Sequence, residues 1–87
     1  MRYYFADLTF GDEFCEMEIE CNVNDFEIIA YKCAEELSLY LGLEIDLSDI
    51  SNWPRKIGIS TKKGSPPIKI FKVDMIMEPN YIVTENT

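Results

Sequence analysis

Apolar and polar residues alternate with a period of two along the start of the chain. Tyr4, Ala6, Leu8 and Phe10 hold the even positions of residues 2–10, and Cys15, Met17, Ile19, Cys21 and Val23 hold the odd positions of residues 14–23. Each run has the pattern of a strand with one buried face. Gly11-Asp12 between them suits a two-residue turn with glycine first, so the pattern predicts a hairpin. If Phe10 and Glu13 flank the turn, paired residue numbers sum to 23, and a four-residue turn makes the sum 25. Either register puts the two apolar sets on one face.

The period then changes. Phe26, Ile29, Ala30, Cys33, Ala34, Leu37 and Leu41 recur at helical spacing, which predicts a helix over residues 25–41. Asn24 is a suitable N-cap, with Glu27 three residues on as in a capping box and Val23 and Ile28 at the staple positions. Gly42 fits the position just past the helix end. Residues 43–54 read as a connector. Asp46, Ser48 and Asp49 favour turns or one short helical turn, and Trp53-Pro54 ends it, with Trp53 as a lid on the core.

Residues 55–62 read as a third strand with Ile57 and Ile59 on one face. Gly64-Ser65-Pro66-Pro67 makes a turn, and residues 68–78 a fourth strand. The apolar phase of that strand shifts from Ile68 and Ile70 to Phe71, Val73, Met75 and Met77. A bulge near Phe71-Lys72, or burial of both faces, accounts for it. Tyr81-Ile82-Val83 adds a short edge strand. The order ββαββ(β) in 87 residues implies one small α+β domain, a mainly antiparallel sheet with one helix packed on one face.

Charge is divided unevenly along this order. Residues 1–50 carry 13 of the 16 acidic side chains and two basic ones, Arg2 and Lys32, a net of 2 − 13 = −11. Residues 51–87 carry Arg55, Lys56, Lys62, Lys63, Lys69 and Lys72 against three acids, a net of 6 − 3 = +3. Concentrated negative charge repels nucleic acid and attracts basic protein surfaces. The expected pattern puts Glu16, Glu18 and Glu20 on the outer face of the hairpin, beside Tyr3, Phe5 and Asp7. Like charges on adjacent strands destabilise a sheet, so the carboxylates are candidates for partner binding and the aromatics for its apolar centre. The alternative is an ordinary solvated strand face whose glutamates block edge pairing. Glu35 and Glu36 extend the acidic set at the end of the helix, where the dipole disfavours anions.

Other chemistries have little to stand on. The chain has no His, no P-loop and no Ser/His/Asp set, and its three cysteines form no CxxC pair. Buried reduced thiols are the expectation for Cys15, Cys21 and Cys33. Asp46-x-Ser48-Asp49 resembles a fragment of a calcium loop but lacks its glycine and distal glutamate. The sequence therefore implies no catalysis, cofactor or metal. It shows no signal peptide and no apolar run near the roughly 20 residues of a membrane span, so a cytoplasmic protein is expected.

The glutamate-rich alternation Phe14-Cys15-Glu16-Met17-Glu18-Ile19-Glu20, followed by a helix of the Phe26…Ala30…Cys33-Ala34…Leu37 kind, resembles small acidic inhibitors encoded by phages and mobile elements, the anti-CRISPR type. That resemblance implies inhibition of a nucleic-acid-binding protein, such as a CRISPR effector complex, by covering its basic surface. Asp7, Glu16, Glu18, Glu20, Glu35 and Glu36 would then meet its Arg and Lys, with Tyr3 and Phe5 supplying apolar contact. An immunity protein or antitoxin against a toxin enzyme uses the same chemistry, and a non-catalytic assembly module is the third reading. The basic second half argues against a uniform nucleic-acid mimic. It also allows salt-sensitive self-association, basic hairpin against acidic hairpin.

Overall fold

The computed structural model describes residues 2–7, 15–22, 24–40, 42–77 and 80–86, with only the backbone of Asp7. One helix, α1 (Phe26–Leu39), packs on a sheet of β1 (Arg2–Asp7), β2 (Glu16–Glu20), β3 (Arg55–Ser60), β4 (Lys69–Met77) and β5 (Asn80–Glu85). The strand order is β2-β1-β3-β4-β5 and every neighbouring pair is antiparallel. The expected α+β architecture is therefore the observed one. β1 sits between β2 and β3, so the helix carries the chain from one side of β1 to the other, and a meander of β3, β4 and β5 completes the sheet.

The face of β1 differs from expectation. Paired numbers in β1 and β2 sum to 22, as in Tyr3↔Ile19, Tyr4↔Glu18 and Phe5↔Met17. An even sum keeps odd residues with odd, so Tyr3 and Phe5 join Ile19 on the helix side, at 5% and 2% exposure. Tyr4 and Ala6 turn to the outer face and are half-buried. The segment Tyr3-Tyr4-Phe5-Ala6 is apolar on both faces, so its own pattern cannot choose between them. Tertiary packing chooses the side with the larger payload. Burying a phenylalanine outweighs burying an alanine by roughly 2 kcal/mol, and β1 lies mid-sheet beneath the helix. Leu8, Phe10 and the Gly11-Asp12 turn lie outside the described residues.

α1 begins one residue later than expected. Asp25, not Asn24, is the N-cap, its carboxylate accepting from Glu27 N–H at 2.9 Å. It ends at a Tyr40 cap whose N–H donates to Leu37 O. Gly42 lies two residues past the Tyr40 cap and not just past the helix end as expected, and Gly64 is the positive-φ glycine among the described residues. Ile29, Ala30, Cys33, Ala34 and Leu37 form the buried stripe. The small side chains of Ala30, Cys33 and Ala34 let the helix settle closely on Phe5, Ile57, Ile59, Phe71 and Val73. Val23 and Leu41 lie outside the described residues.

The same core extends to the connector and β5. Trp53 is buried as a lid and donates Nε1–H to Leu47 O at 2.9 Å. Its ring lies 5.3 Å from that of Tyr81, which also meets Tyr31 edge-on at 5.4 Å. The Tyr81 hydroxyl and Ser38 Oγ share a hydrogen bond of 2.8 Å, which ties β5 to α1. The connector contains the short helical turn expected of it, Ile50–Asn52, capped by Asp49.

β4 shows no phase shift at Phe71-Lys72. Phe71, Val73 and Met75 are buried throughout, while Ile68 is exposed and Ile70 half-buried. The register irregularity falls between Met75 and Met77, against β5. Arg55 is not a surface cation, being 2% exposed with Nε donating to Asn52 O at 3.3 Å.

The two faces of β1 make opposite predictions about stability. Phe5→Ala is expected to cost about 3–5 kcal/mol in urea unfolding, and more than Tyr4→Ala. A larger loss at Tyr4 would return the core to the even face.

Candidate acidic binding face

The even-sum register decides where the glutamates go. With Met17 and Ile19 turned inward, Glu16, Glu18 and Glu20 share the outer face of β2 with Arg2, Tyr4 and Ala6 of β1. Ala6, not Asp7, lies across from Glu16, and Tyr4, not Phe5, lies across from Glu18. Tyr3 and Phe5 are core residues and cannot supply exposed contact. The aromatic beside the carboxylates is Tyr4. The side chain of Asp7 lies outside the described residues, and its backbone pairs with Ile57 on the β3 side.

Neighbouring groups moderate the carboxylate ladder. Arg2 Nε lies 3.4 Å from one oxygen of Glu18 and 3.4 Å from one of Glu20. All three side chains are solvent-exposed, so each pair stabilises by at most about 1 kcal/mol. The Tyr4 hydroxyl donates to the Glu18 carboxylate, which raises the phenol pKa above its ordinary value. Burial and the Glu18 charge push the same way, and Arg2 opposes them. Arg2 and Tyr4 thus hold Glu18 in place while leaving the face net negative.

Glu35 and Glu36 are not on that outer face, because α1 covers the opposite side of the sheet. They reach the ladder around the β2 edge. Glu20, Glu35 and Glu36 line a groove of about 230 Å³ with Ile19, Lys32 and Leu39. Leu39 is 69% exposed and lies on its wall. The acidic set therefore wraps an edge strand, with Tyr4 on one side and Leu39 on the other. The sequence gives no direct sign of the roles of Arg2, Tyr4 and Leu39. The first two follow from a register sum of 22, and Leu39 from its place beyond the buried stripe of the helix.

Asp46 and Asp49 have local work. Asp46 Oδ1 accepts from Ser48 N–H at 3.0 Å and Ser48 Oγ–H at 2.6 Å. Asp49 Oδ1 accepts from Ser51 N–H at 3.0 Å and Ser51 Oγ–H at 2.9 Å. These bonds, the backbone one first, lower the Asp49 pKa against a small opposing effect of burial. Such turn caps satisfy backbone donors. Among the described residues no group of three or more His, Cys, Asp or Glu side chains is placed to hold a metal ion. Cys15, Cys21 and Cys33 are buried thiols outside any disulfide, as expected. Burial, then Cys21, then Glu36 push the Cys33 thiol far above its ordinary range, which leaves it protonated and unreactive at neutral pH.

Arg2 and Lys32 lie within the acidic edge, and the other described basic groups belong to β3, β4 and their loop. Lys56 and Lys72 face each other across the central strands, and Lys62 and Lys63 lie in the β3–β4 loop. Among the described residues no helix is long and apolar enough to cross a membrane. Comparisons with protein-family models, with curated proteins and with solved structures found no match. The class defined by the fold is thus a one-helix α+β domain with an antiparallel sheet.

The Tyr4–Glu18 bond has a pH signature. A phenol whose folded pKa is raised contributes stability that is fully present below its unfolded pKa and is lost as pH rises through the folded value. Subtracting the alkaline absorbance titration of Tyr4→Phe from that of the parent protein isolates Tyr4. It should ionise above the ordinary tyrosine value, and in a Glu18→Gln background it should ionise at lower pH. An unchanged midpoint in that background would remove the bond from the account.

Proposed function

We propose that this chain is a small cytoplasmic inhibitor that binds a basic, nucleic-acid-binding protein and covers the surface that holds the nucleic acid. The anti-CRISPR or anti-defence role is the version favoured. The observation that carries the reading is the acidic wrap around β2: Glu16, Glu18 and Glu20 outside, and Glu20, Glu35 and Glu36 in one groove. Arginines and lysines that grip phosphates are strong, exposed cations, and a rigid strand carrying carboxylates at alternate positions is a matching counter-surface. Tyr4 and Leu39 replace Tyr3 and Phe5 as the apolar contacts.

β3 and β4 are not adjacent to β2, so their lysines and those of the loop lie off this edge, and the partner engages the edge and not the whole outer face. Electrostatic steering makes association fast and salt-dependent. Binding needs no cofactor and no catalytic step. An immunity protein against a toxin nuclease would present the same surface, and the two readings differ only in the partner.

The test is competition. The chain is titrated into purified CRISPR effector complexes and toxin nucleases, and displacement of labelled DNA or RNA is followed at low and high salt. Inhibition of one target is expected, weakened by high salt and by at least about tenfold in Glu16/Glu18/Glu20→Lys, since each desolvated charge contact is worth roughly 1 kcal/mol or more. Inhibition that the triple reversal leaves intact would sink the acidic-face reading.

A further inference from the structure

The two edges of the sheet are built differently. β2 places a glutamate at every second position, so a second copy of this acidic chain meets like charge there. β5 runs Tyr81-Ile82-Val83-Thr84 with no lysine or proline, a stretch of high strand propensity. Its one charged residue, Glu85, is already held by Lys69 Nζ at 3.2 Å. Ile82 is 52% exposed on the outer face. On the helix side the same edge opens onto a groove of about 520 Å³ walled by Ile28, Tyr31 and Val83. Among the described residues the Tyr81–Val83 stretch is apolar with no lysine or proline as a guard, and the charged residues of the groove, Glu27, Lys32 and Glu35, belong to α1.

The hydrogen-bond phase of β5 limits which strand it accepts and in which register. Asn86 N–H donates to Ile70 O at 2.9 Å, in step with the pairs Lys72↔Thr84 and Asp74↔Ile82. Bonded and non-bonded pairs alternate along an antiparallel ladder. Ile82 and Thr84 therefore aim their backbone groups at β4, and Tyr81, Val83 and Glu85 aim theirs outward. A second β5 laid antiparallel has the same phase, so odd residues must pair with odd and even with even. That parity also keeps both helices on one side of the joined sheet. The centred register sets Ile82 against Ile82, Tyr81 against Val83 in hydrogen-bonding phase, and Asn80 against Thr84. No charges meet along it.

We propose that β5 is the docking edge for a second copy of this chain, joining two sheets about a two-fold axis through Ile82. The grooves beside α1 then face each other. Each is also lined by Lys32, Glu27 and Glu35, so the cation of one copy meets carboxylates of the other. Contact rests on backbone bonds and apolar side chains, so it tolerates salt, unlike a head-to-tail pairing of acidic and basic hairpins. It leaves the glutamates of β2 open and does not depend on the proposed function, although Glu35 lines both this groove and the acidic one.

Sedimentation equilibrium from micromolar to near-millimolar protein, at low and high salt, tests this. A dimer is expected at both salts, weakened at least about tenfold by Ile82→Lys and unchanged by Glu16/Glu18/Glu20→Lys. With an added thiol oxidant, Ile82→Cys should form a covalent dimer, because paired positions of this kind lie about 4.5 Å apart between Cα atoms. Thr84→Cys should not, since its twin lies about 14 Å away, four residues along the strand. A monomer at every concentration, a dimer dissolved by salt or retained in Ile82→Lys, or equal cross-linking at Thr84→Cys would overturn the proposal.

Discussion

Burial of Phe5 beneath the helix is the constraint on which the rest of this molecule depends. Phe5 sits in the strand that is paired on both sides, between Met17 of β2 and Ile59 of β3. Strand side chains alternate, so placing one residue inward sets the parity of every strand hydrogen-bonded to it. Tyr3, Ile19, Ile57, Ile59, Phe71 and Val73 follow Phe5 into the core. Glu16, Glu18, Glu20, Lys56 and Lys72 follow Tyr4 to the other face. The acidic surface is thus a consequence of core packing, expressed through hydrogen-bond register.

The same geometry makes the two edges of the sheet unlike. β2 carries the glutamates, and the end of α1 adds Glu35 and Glu36 from the opposite side of the sheet. Arg2 and Tyr4 hold the ladder without neutralising it. β5 is instead held from within, through the Tyr81 hydroxyl on Ser38 and the Tyr81 ring between Tyr31 and Trp53. That anchoring leaves its outer edge regular and apolar. One edge is suited to a partner of opposite charge, the other to a strand like itself.

Much of the fold was legible along the chain. The stripe Ile29, Ala30, Cys33, Ala34 and Leu37 has helical spacing and is buried together. Ile57 and Ile59 alternate and are buried, and Trp53 is a lid. The errors lie where local pattern is symmetric. Asn24-Asp25 offers two caps of equal quality, and the helix takes the second. Tyr3-Tyr4-Phe5-Ala6 offers two apolar faces, and the larger side chains take the core. Ile68 and Ile70 look like core positions in sequence, but Ile68 lies exposed just ahead of β4 and Ile70 is half-buried on its outer face, outside the core. The candidate site suffered most, because a register one residue away exchanges an exposed aromatic for a buried one.

The sequence by itself determined the element order, the helix stripe, the core phase of β2 and the division of charge between the halves of the chain. Each is written in local spacing or in composition, and needs no knowledge of which strands meet. Only the tertiary structure decided that β1 lies between β2 and β3, that Tyr4 stands beside the glutamates in place of Tyr3 and Phe5, and that Glu20, Glu35 and Glu36 share a groove. Those relations join residues far apart in the chain. They are settled by which side chains gain most from burial once helix and sheet pack together, a comparison that no local window of sequence contains.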